Sequence, residues 1–299
     1  MTDPLFDSPE EEIHFDLFNV KNVSVFIKRD DMIHPFISGN KWRKLKYNLI
    51  EAQFIEKKHL VTFGGPYSNH LLATACAAAK FGFKSTGIVR GEPVENQTLM
   101  ICKLFGMKLQ FVKRTDYRDK QLIFNSRFAD DADAYFINEG GSGNDAIKGC
   151  SELISELKQT YDHIVCACGT GTTVAGLLQG IQLAQTYTMV HAISVLKNAA
   201  EIEIGLEKFT KNLCQVRLHS EYNFGGYAKT NFQLLSFIKD FAVSTGILLD
   251  PVYTGKMMFG LFDLIEKDYF LQGSKILAIH TGGLMGLLGM SKEFNAMDN

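Results

Sequence analysis

The feature that most constrains the fold is a regular alternation of strand-like and helix-like segments along the 299 residues. Short apolar runs rich in β-branched residues predict strands over 23–28, 59–63, 85–90, 108–111, 134–137, 163–167, 188–195 and 275–279. Amphipathic patterns between them predict helices over 69–81, 95–105, 148–160, 173–186, 227–245, 256–268 and 284–290. This order predicts an α/β fold with open, mainly parallel sheets that helices cover on both faces.

The composition favours a protein that binds a small molecule. Its 31 basic side chains nearly balance 33 acidic ones, so neither nucleic acid nor an anionic membrane is expected as a partner. No apolar run is long enough to span a membrane, and the acidic start MTDPLFDSPEEEIHF is unlike a signal peptide, so we expect a cytoplasmic protein. Cys166 and Cys168 lie in an apolar run without a second Cys/His pair at zinc spacing, which predicts reduced core thiols and no metal site.

One lysine follows an unusual turn, in the segment SGNKWRKLKYNL at 38–49. Gly39 and Asn40 tolerate tight or left-handed backbone, and the apolar residues after them recur at helical spacing. Lys41 is therefore predicted in the first turn of a helix. This segment alone is equally compatible with a solvated surface lysine, so other parts of the chain must decide.

Ligand sites in open parallel sheets gather in the loops that follow the carboxyl ends of strands. One such loop, in TFGGPYSNHLL, places Ser68, Asn69 and His70 at the start of an Ala-rich helix. The free N–H groups of a helix N-terminus favour an anion such as a substrate carboxylate. Simple capping of the helix by Ser68 or Asn69 would give the same pattern.

A second loop, in HIVCACGTGTTVAGL, contains Gly169, Thr170, Gly171, Thr172 and Thr173 between a strand and a helix. Glycines admit a close anion and threonine hydroxyls add donors, which suits a phosphate group. No Walker lysine follows and the G-x-G-x-x-G pattern is absent, so a bare monophosphate is favoured over a nucleotide. A structural tight turn is the alternative.

Two further segments, DPVYTGK and HTGG, place Tyr253, Thr254 and Thr281 among glycines next to a helix or after a strand. Each could be ordinary turn chemistry when it is taken alone.

In order along the chain, the segments IKRDDMIHPFISGNKWRKL, TFGGPYSNH, GTGTT, FGGYAK, DPVYTGK and HTGG resemble the fold-type II pyridoxal-phosphate enzymes, which are tryptophan synthase β-like. Within them the set is similar to the 1-aminocyclopropane-1-carboxylate (ACC) deaminase and D-cysteine desulfhydrase family. The resemblance implies pyridoxal 5'-phosphate as cofactor and two open, twisted, mainly parallel sheets flanked by helices. It also implies a homodimer, and a smaller domain at 44–144 inserted in a larger cofactor-binding domain at 1–43 and 145–299.

The resemblance assigns Lys41 as the lysine that bonds the cofactor, which would explain the turn in front of it. Ser68, Asn69 and His70 match the loop that meets the substrate carboxylate. Within that loop, Asn69 matches the partner of the cofactor's phenolic oxygen, and Ser68 the candidate acid, base or nucleophile.

The resemblance also assigns the phosphate and the cofactor ring. Residues 169–173 match the phosphate-binding loop, and Lys44, one turn after Lys41, is expected to add positive charge there. Tyr253 matches the tyrosine that lies against the cofactor ring, and Tyr227 matches a second active-site tyrosine.

Two positions distinguish the branches of the family. By resemblance, ring-opening deaminases carry an acid at position 254 and an aliphatic residue at 281, whereas this chain has Thr254 and Thr281. A carboxylate near the pyridine nitrogen would favour its protonation and strengthen the electron sink. We therefore expect a weaker sink, which suits elimination of a good leaving group such as thiolate.

The leading hypothesis is a lyase acting on a small D-amino acid, with D-cysteine giving pyruvate, sulfide and ammonia. The alternatives are ACC deamination, elimination from D-serine or diaminopropionate, and a cofactor-holding regulatory protein of low activity. A nucleotide-binding module is disfavoured because the phosphate-loop lysine is missing.

Overall fold

A computed structural model describes residues 8–207, 213–290 and 293–294. The strands are β1 Glu10–Ile13, β2 Ser24–Lys28, β3 His59–Gly64, β4 Lys84–Arg90, β5 Lys108–Val112, β6 Ala134–Ile137, β7 His163–Cys168, β8 Met189–Ser194, β9 Val216–His219 and β10 Lys275–Ile279. The α-helices are α1 Asp16–Lys21, α2 Asn40–Phe54, α3 Asn69–Phe81, α4 Gln97–Leu104, α5 Lys120–Arg127, α6 Asn144–Ser155, α7 Thr172–Ala184, α8 Ala199–Glu207, α9 Phe232–Thr245 and α10 Thr254–Glu266.

The strands form two sheets, which confirms the predicted α/β class. The larger sheet has the order β1-β2-β10-β7-β8-β9, and only β1 runs antiparallel to its neighbour. The smaller sheet has the order β5-β4-β3-β6 and is wholly parallel. Two separate apolar clusters cover the larger sheet. Val165 and Ala278 belong to one cluster, and their neighbours Ile164 and Leu277 belong to the other. Because successive residues of a strand point to opposite faces, both faces of the sheet are buried.

The order of the larger sheet decides which loops can meet. β2 and β7 both pair with β10, although β10 lies more than one hundred residues from either in sequence. Parallel neighbours end at the same edge of a sheet. The turn before Lys41, the 169–173 loop and the HTGG loop that follows β10 are therefore brought to one place.

The smaller sheet is built entirely from strands between His59 and Ile137, and the larger sheet from strands outside that span. The proposed domain boundary after residue 43 falls inside α2. The smaller sheet is observed, but the limits 44 and 144 of an inserted domain stay a prediction.

The sequence-based helices differ from the structure in two instructive places. The helix predicted over 148–160 is observed as α6, which begins and ends earlier. The helix predicted from residue 227 begins only at Phe232, because Ala228 has a φ angle of 55°, which no α-helix contains, and Asn231 caps the helix in an extended conformation. The prediction over 227–231 is wrong for that reason.

Strands β1 and β9 and helices α1, α5 and α8 were not predicted. Strand β1 has the sequence EEEI, which shows no apolar alternation. It pairs with β2, and its carboxylates add two contacts. The Arg29 guanidinium donates to Glu11, and the Tyr161 hydroxyl donates to Glu10. Partners this far away in sequence give no local signal.

Among the described residues, no helix combines the length and apolar character that crossing a bilayer requires. Within the same ranges, no group of three or more His, Cys, Asp or Glu side chains is placed to hold a metal ion. Cys166 and Cys168 are free and buried, as the sequence predicts.

Three histidines form a hydrogen-bonded row across β7, β8 and β9. His191 Nε2 lies 3.1 Å from His163 Nδ1, and His191 Nδ1 lies 3.1 Å from His219 Nε2. His219 Nδ1 is 3.5 Å from a carboxylate oxygen of Glu221. A carboxylate accepts but does not donate, so the neutral row is satisfied when every Nδ1 carries hydrogen and donates toward Glu221.

The pH dependence of stability should depend on this row. Burial lowers the pKa of all three histidines, and the charges of His163 and His219 help to lower that of His191 to about 3. The unfolded chain therefore binds more protons below about pH 6.5, and stability falls as the pH falls. In urea unfolding of the apoprotein, His191→Phe should reduce the slope of stability against pH by an amount that rises from ~0.7 kcal/mol per pH unit at pH 6.5 to ~1.4 kcal/mol per pH unit near pH 5.

His14→Phe is the matched control, because His14 is exposed and lies outside the row. An unchanged slope for His191→Phe would show that the row does not take part in acid unfolding.

Candidate active site

The turn before Lys41 is clamped between two other segments. Gly39 has φ 63°, its N–H donates to the Asp30 carbonyl oxygen at 2.8 Å, and the Asn40 N–H donates to the Thr281 carbonyl oxygen at 3.3 Å. A Cβ on Gly39 would stand 1.8 Å from that same Thr281 oxygen. Only glycine permits this approach, which fixes Lys41 in the first turn of α2.

A buried ionic cluster anchors the same turn of α2. The Arg43 guanidinium donates two hydrogen bonds to the Asp30 carboxylate, at 2.6 and 2.8 Å, and also donates to Glu156 after the end of α6. Burial alone would raise the pKa of Asp30, but the charge and hydrogen bonds of Arg43 lower it below the ordinary value. Asp30 and Arg43 are both buried, so removing Arg43 would leave the Asp30 carboxylate in the interior without its main charge partner.

A cavity of about 180 Å³ opens beside Lys41. Its lining includes Lys41, Lys44, residues 169–173, Tyr227 and Tyr253. The structure therefore brings most of the site residues that the sequence singled out into one place.

The amine of Lys41 is electrostatically unusual. Burial lowers its pKa to about 7 and the positive charge of Lys44 adds to this effect, while Cys150 and Asp250 oppose it. Lys44 is itself buried, and burial lowers its pKa as well. A lysine with this pKa is neutral for a large fraction of the time at pH 7, so it can act as a nucleophile or a base.

The loop at 169–173 ends at the N-terminus of α7. Gly171 precedes the helix with φ 81°, which keeps the loop tight. The Thr170 and Thr172 hydroxyls lie 3.2 Å apart, and the Asn40 amide donates to the Thr173 hydroxyl at 3.3 Å. Threonine residues, the start of α7 and Lys44 thus line one cavity, and together they offer the kinds of donor that a phosphate monoester requires.

Two tyrosines close another side of the cavity. The ring of Tyr253 lies against the loop, since a Cβ on Gly169 would be 3.6 Å from it. The Tyr227 ring meets the Tyr253 ring edge-on with centroids 6.0 Å apart. Burial raises the pKa of Tyr253 well above its ordinary value, so its hydroxyl stays protonated. Tyr227 is half exposed at the cavity mouth.

The Ser68–Asn69–His70 segment is split between two environments. The Ser68 hydroxyl accepts a hydrogen bond from Leu71 N–H at 3.3 Å and caps α3. The Asn69 amide nitrogen would lie 3.1 Å from a Cβ on Gly283, so this side chain approaches the HTGG loop. His70 instead points into the smaller sheet, where its Nε2 lies 2.8 Å from the Thr62 hydroxyl. Because it is buried, His70 has a pKa well below the ordinary value.

Asp250 is a buried acid to which the sequence analysis gave no role. Its carboxylate accepts hydrogen bonds from the N–H groups of Val252, Tyr253 and Thr254 and from the Thr254 hydroxyl. Thr254 is fully buried by these contacts, and its hydroxyl hydrogen is engaged at 2.8 Å. An Asp side chain often accepts hydrogen bonds from N–H groups a few residues later, so the DPVYT sequence could have suggested these contacts.

Pyridoxal phosphate requires a lysine amine that can bond its aldehyde and a cluster of donors for its phosphate. Lys41, with its lowered pKa, and the 169–173 loop with Lys44 have the chemistry for both, so the residues present fit this cofactor. The fold and the cavity thus define a class, the fold-type II pyridoxal-phosphate enzymes.

The chain belongs to the pyridoxal-phosphate dependent enzyme family, whose sequence model matches residues 10–282. It is 33% identical over 293 residues to the mitochondrial bifunctional D-cysteine desulfhydrase/1-aminocyclopropane-1-carboxylate deaminase of Arabidopsis thaliana, covering 88% of this chain and 73% of that one. It is 30% identical over 287 residues to a D-cysteine desulfhydrase of Salmonella newport, covering 88% of each chain.

Among solved structures, the chain is similar to an ACC deaminase homologue with a TM-score of 0.84 and 27% identity, covering 98% of this chain and 94% of that one. The predicted fold type and cofactor are confirmed. The protein is a pyridoxal-phosphate-dependent lyase or deaminase of the ACC deaminase and D-cysteine desulfhydrase type.

Proposed function

We propose that this enzyme is a D-cysteine desulfhydrase, which converts D-cysteine to pyruvate, sulfide and ammonia. The observation that carries the proposal is threonine at both branch-distinguishing positions, Thr254 and Thr281. The name of the Salmonella relative supports this substrate, and the bifunctional name of the Arabidopsis relative includes it.

Several residues of the cavity would hold the cofactor. Lys41 would bond its aldehyde carbon, while residues 169–173 and Lys44 would bind its phosphate. Tyr253 would lie against its ring and Asn69 would meet its phenolic oxygen. When bound, pyridoxal phosphate supplies an electron sink for the electron pair left at the substrate Cα.

The proton transfers belong to the chain itself. The neutral Nζ of Lys41 would take the Cα proton, because a base with a pKa of about 7 is well matched to neutral pH. Ser68 and His70 belong to the loop proposed to meet the substrate carboxylate, and the hydroxyls of Ser68 and Tyr227 are the candidates for acid or base work. The cavity is small, so a bound cofactor and substrate would displace water from it.

The substrate is tested by comparing two products. We expect sulfide release from D-cysteine to be much faster than 2-oxobutyrate formation from ACC, because thiolate leaves readily whereas ring opening breaks a carbon–carbon bond. The double variant Thr254→Glu/Thr281→Leu should shift the ratio toward 2-oxobutyrate by roughly tenfold, about the effect of one pKa unit on the ring nitrogen.

Thr254→Gln/Thr281→Leu is the matched control, since Gln has nearly the same size as Glu but no carboxyl group. Efficient ring opening by the wild type, with D-cysteine untouched, would contradict both the substrate proposal and the electron-sink argument.

ACC deamination is the second candidate, and the bifunctional name of the Arabidopsis relative favours it. A cofactor-holding regulatory protein of low activity is a further alternative, and absence of turnover with D- and L-amino acids and ACC would support it. The homodimer, the cytoplasmic location and the 44–144 domain remain part of the proposal. Sedimentation of the purified protein tests the dimer.

A further inference from the structure

The loop that carries Tyr227 has a backbone that needs support. Phe224, Gly225, Gly226 and Ala228 have φ angles of 53°, 94°, 117° and 55°, so four residues around Tyr227 lie in the left-handed region. Two of them are not glycine and pay a steric penalty for this conformation. Such a segment keeps one conformation only where its surroundings determine it.

The buried side chain of Lys256 holds this loop by hydrogen bonds. Its side chain is fully buried, and its Nζ donates to the carbonyl oxygens of Asn223 at 2.8 Å and Gly226 at 2.7 Å. The same two carbonyl groups accept the N–H groups of Gly226 and Lys229, which close the turn. One ammonium therefore joins the residue before the left-handed segment to a residue in its middle.

The position of Lys256 in the fold links the two tyrosines. Lys256 lies in the first turn of α10, three residues after Tyr253. Tyr253 is placed by the start of that helix, and Tyr227 is placed by the loop that Lys256 holds. The edge-on contact between the two rings thus depends on one short piece of chain.

We propose that Lys256 is a positioning residue, whose buried ammonium fixes the 223–228 loop so that Tyr227 stands at the cavity mouth against Tyr253. The catalytic part of this inference rests on the proposed function, in which Tyr227 takes part in the reaction. The structural part concerns the loop alone.

The charge of Lys256 strengthens the arrangement. Hydrogen bonds from an ammonium to carbonyl oxygens are stronger than those between neutral groups. Burial lowers the pKa of Lys256 to about 8 while the charge of Asp250 opposes the shift, so the amine is mainly protonated at pH 7. An apolar side chain of similar length would leave two buried carbonyl oxygens with one donor fewer each.

The experiment compares Lys256→Met with Lys267→Met in the cofactor-loaded enzyme. Lys267 follows the end of α10, is exposed and pairs only with Asp263 among the contacts described, so it is a matched control. We expect faster amide hydrogen exchange at 225–229 in Lys256→Met, with exchange in α9 and α10 unchanged, and no such change in Lys267→Met. Because misplacement of a reacting group is costly, kcat/KM should fall roughly ten- to a hundredfold in Lys256→Met.

A double-mutant cycle shows whether that loss acts through Tyr227. Lys256→Met added to Tyr227→Phe should lower kcat/KM by no more than about threefold beyond Tyr227→Phe alone, because the side chain that Lys256 positions is already altered. A purely structural role would give losses that multiply. Lys256→Gln keeps two amide donors, so it should recover part of the activity and also serves if the Met variant does not fold.

Unchanged exchange at 225–229, or fully multiplicative losses in the cycle, would overturn the proposal. If Tyr227→Phe retains full activity, the catalytic role of Tyr227 fails, and the exchange measurement alone then decides whether Lys256 fixes the loop.

Discussion

Lys41→Ala should remove the visible absorbance of the lysine-bound cofactor and lower kcat/KM for D-cysteine by on the order of a thousandfold or more. Lys41 lines the cavity next to the 169–173 loop, and its pKa is lowered to about 7. Lys44 shares the cavity but is buried deeper and one turn further along α2. Alanine at position 41 would remove both the covalent attachment and the proposed base.

The measurement is an absorbance spectrum with added pyridoxal phosphate, followed by borohydride reduction and peptide mapping. Lys58→Ala, at an exposed position after α2, is the control and should behave as the wild type. If the Lys41 variant keeps both the absorbance and the borohydride-trapped label, the assignment of Lys41 is wrong.

Gly39→Ala should destabilise the protein by roughly 3 kcal/mol or more and weaken cofactor binding at the same time. Two penalties add at this position. The φ angle of 63° disfavours any side chain, and a Cβ would stand 1.8 Å from the backbone oxygen of Thr281. Relief requires the turn and the HTGG loop to move apart, which would displace Lys41.

Gly82→Ala separates the two penalties, because Gly82 has φ 79° at the end of α3 but no atom within 4 Å of its Cβ position. It should cost about 1 kcal/mol, the penalty of the left-handed conformation alone. Urea unfolding and a cofactor titration of both variants give the comparison. Equal losses of stability in the two variants would show that the close approach of the loops is unimportant.

The short-range signals in the sequence were reliable where an element has its own pattern and its own ends. Helix α3 was predicted over 69–81 and is observed over Asn69–Phe81, because Ser68 caps its start and Gly82 ends it in the left-handed region. Strands β6 and β10 were predicted with their observed limits for a similar reason. The signals that set these limits therefore lie within or next to each element.

Hydrophobic periodicity was a poor guide to the charged residues of α2. Periodicity alone places Arg43 and Lys44 away from the apolar face of the helix, where charged side chains are normally exposed, whereas both are buried. Arg43 is neutralised by Asp30 and Glu156, which lie 13 and 113 residues away. Lys44 borders the cavity. Hydrophobic periodicity assumes that charged side chains face water, and it fails where a distant partner or a ligand cavity compensates the charge.

The sequence alone determined the fold class, the cofactor and the residues from which a site could be built, because these depend on local periodicity and on the order of short motifs. The tertiary structure decided how those residues meet. The pairing of β10 between β2 and β7 brings three loops to one edge of the larger sheet. The Thr254 hydroxyl donates to the buried Asp250 carboxylate, and a hydrogen bond to Thr62 holds His70 against the smaller sheet. Such contacts join residues from segments whose relative placement no local pattern encodes, and the pKa of Lys41 follows from them, since burial and neighbouring charge exist only in the folded chain.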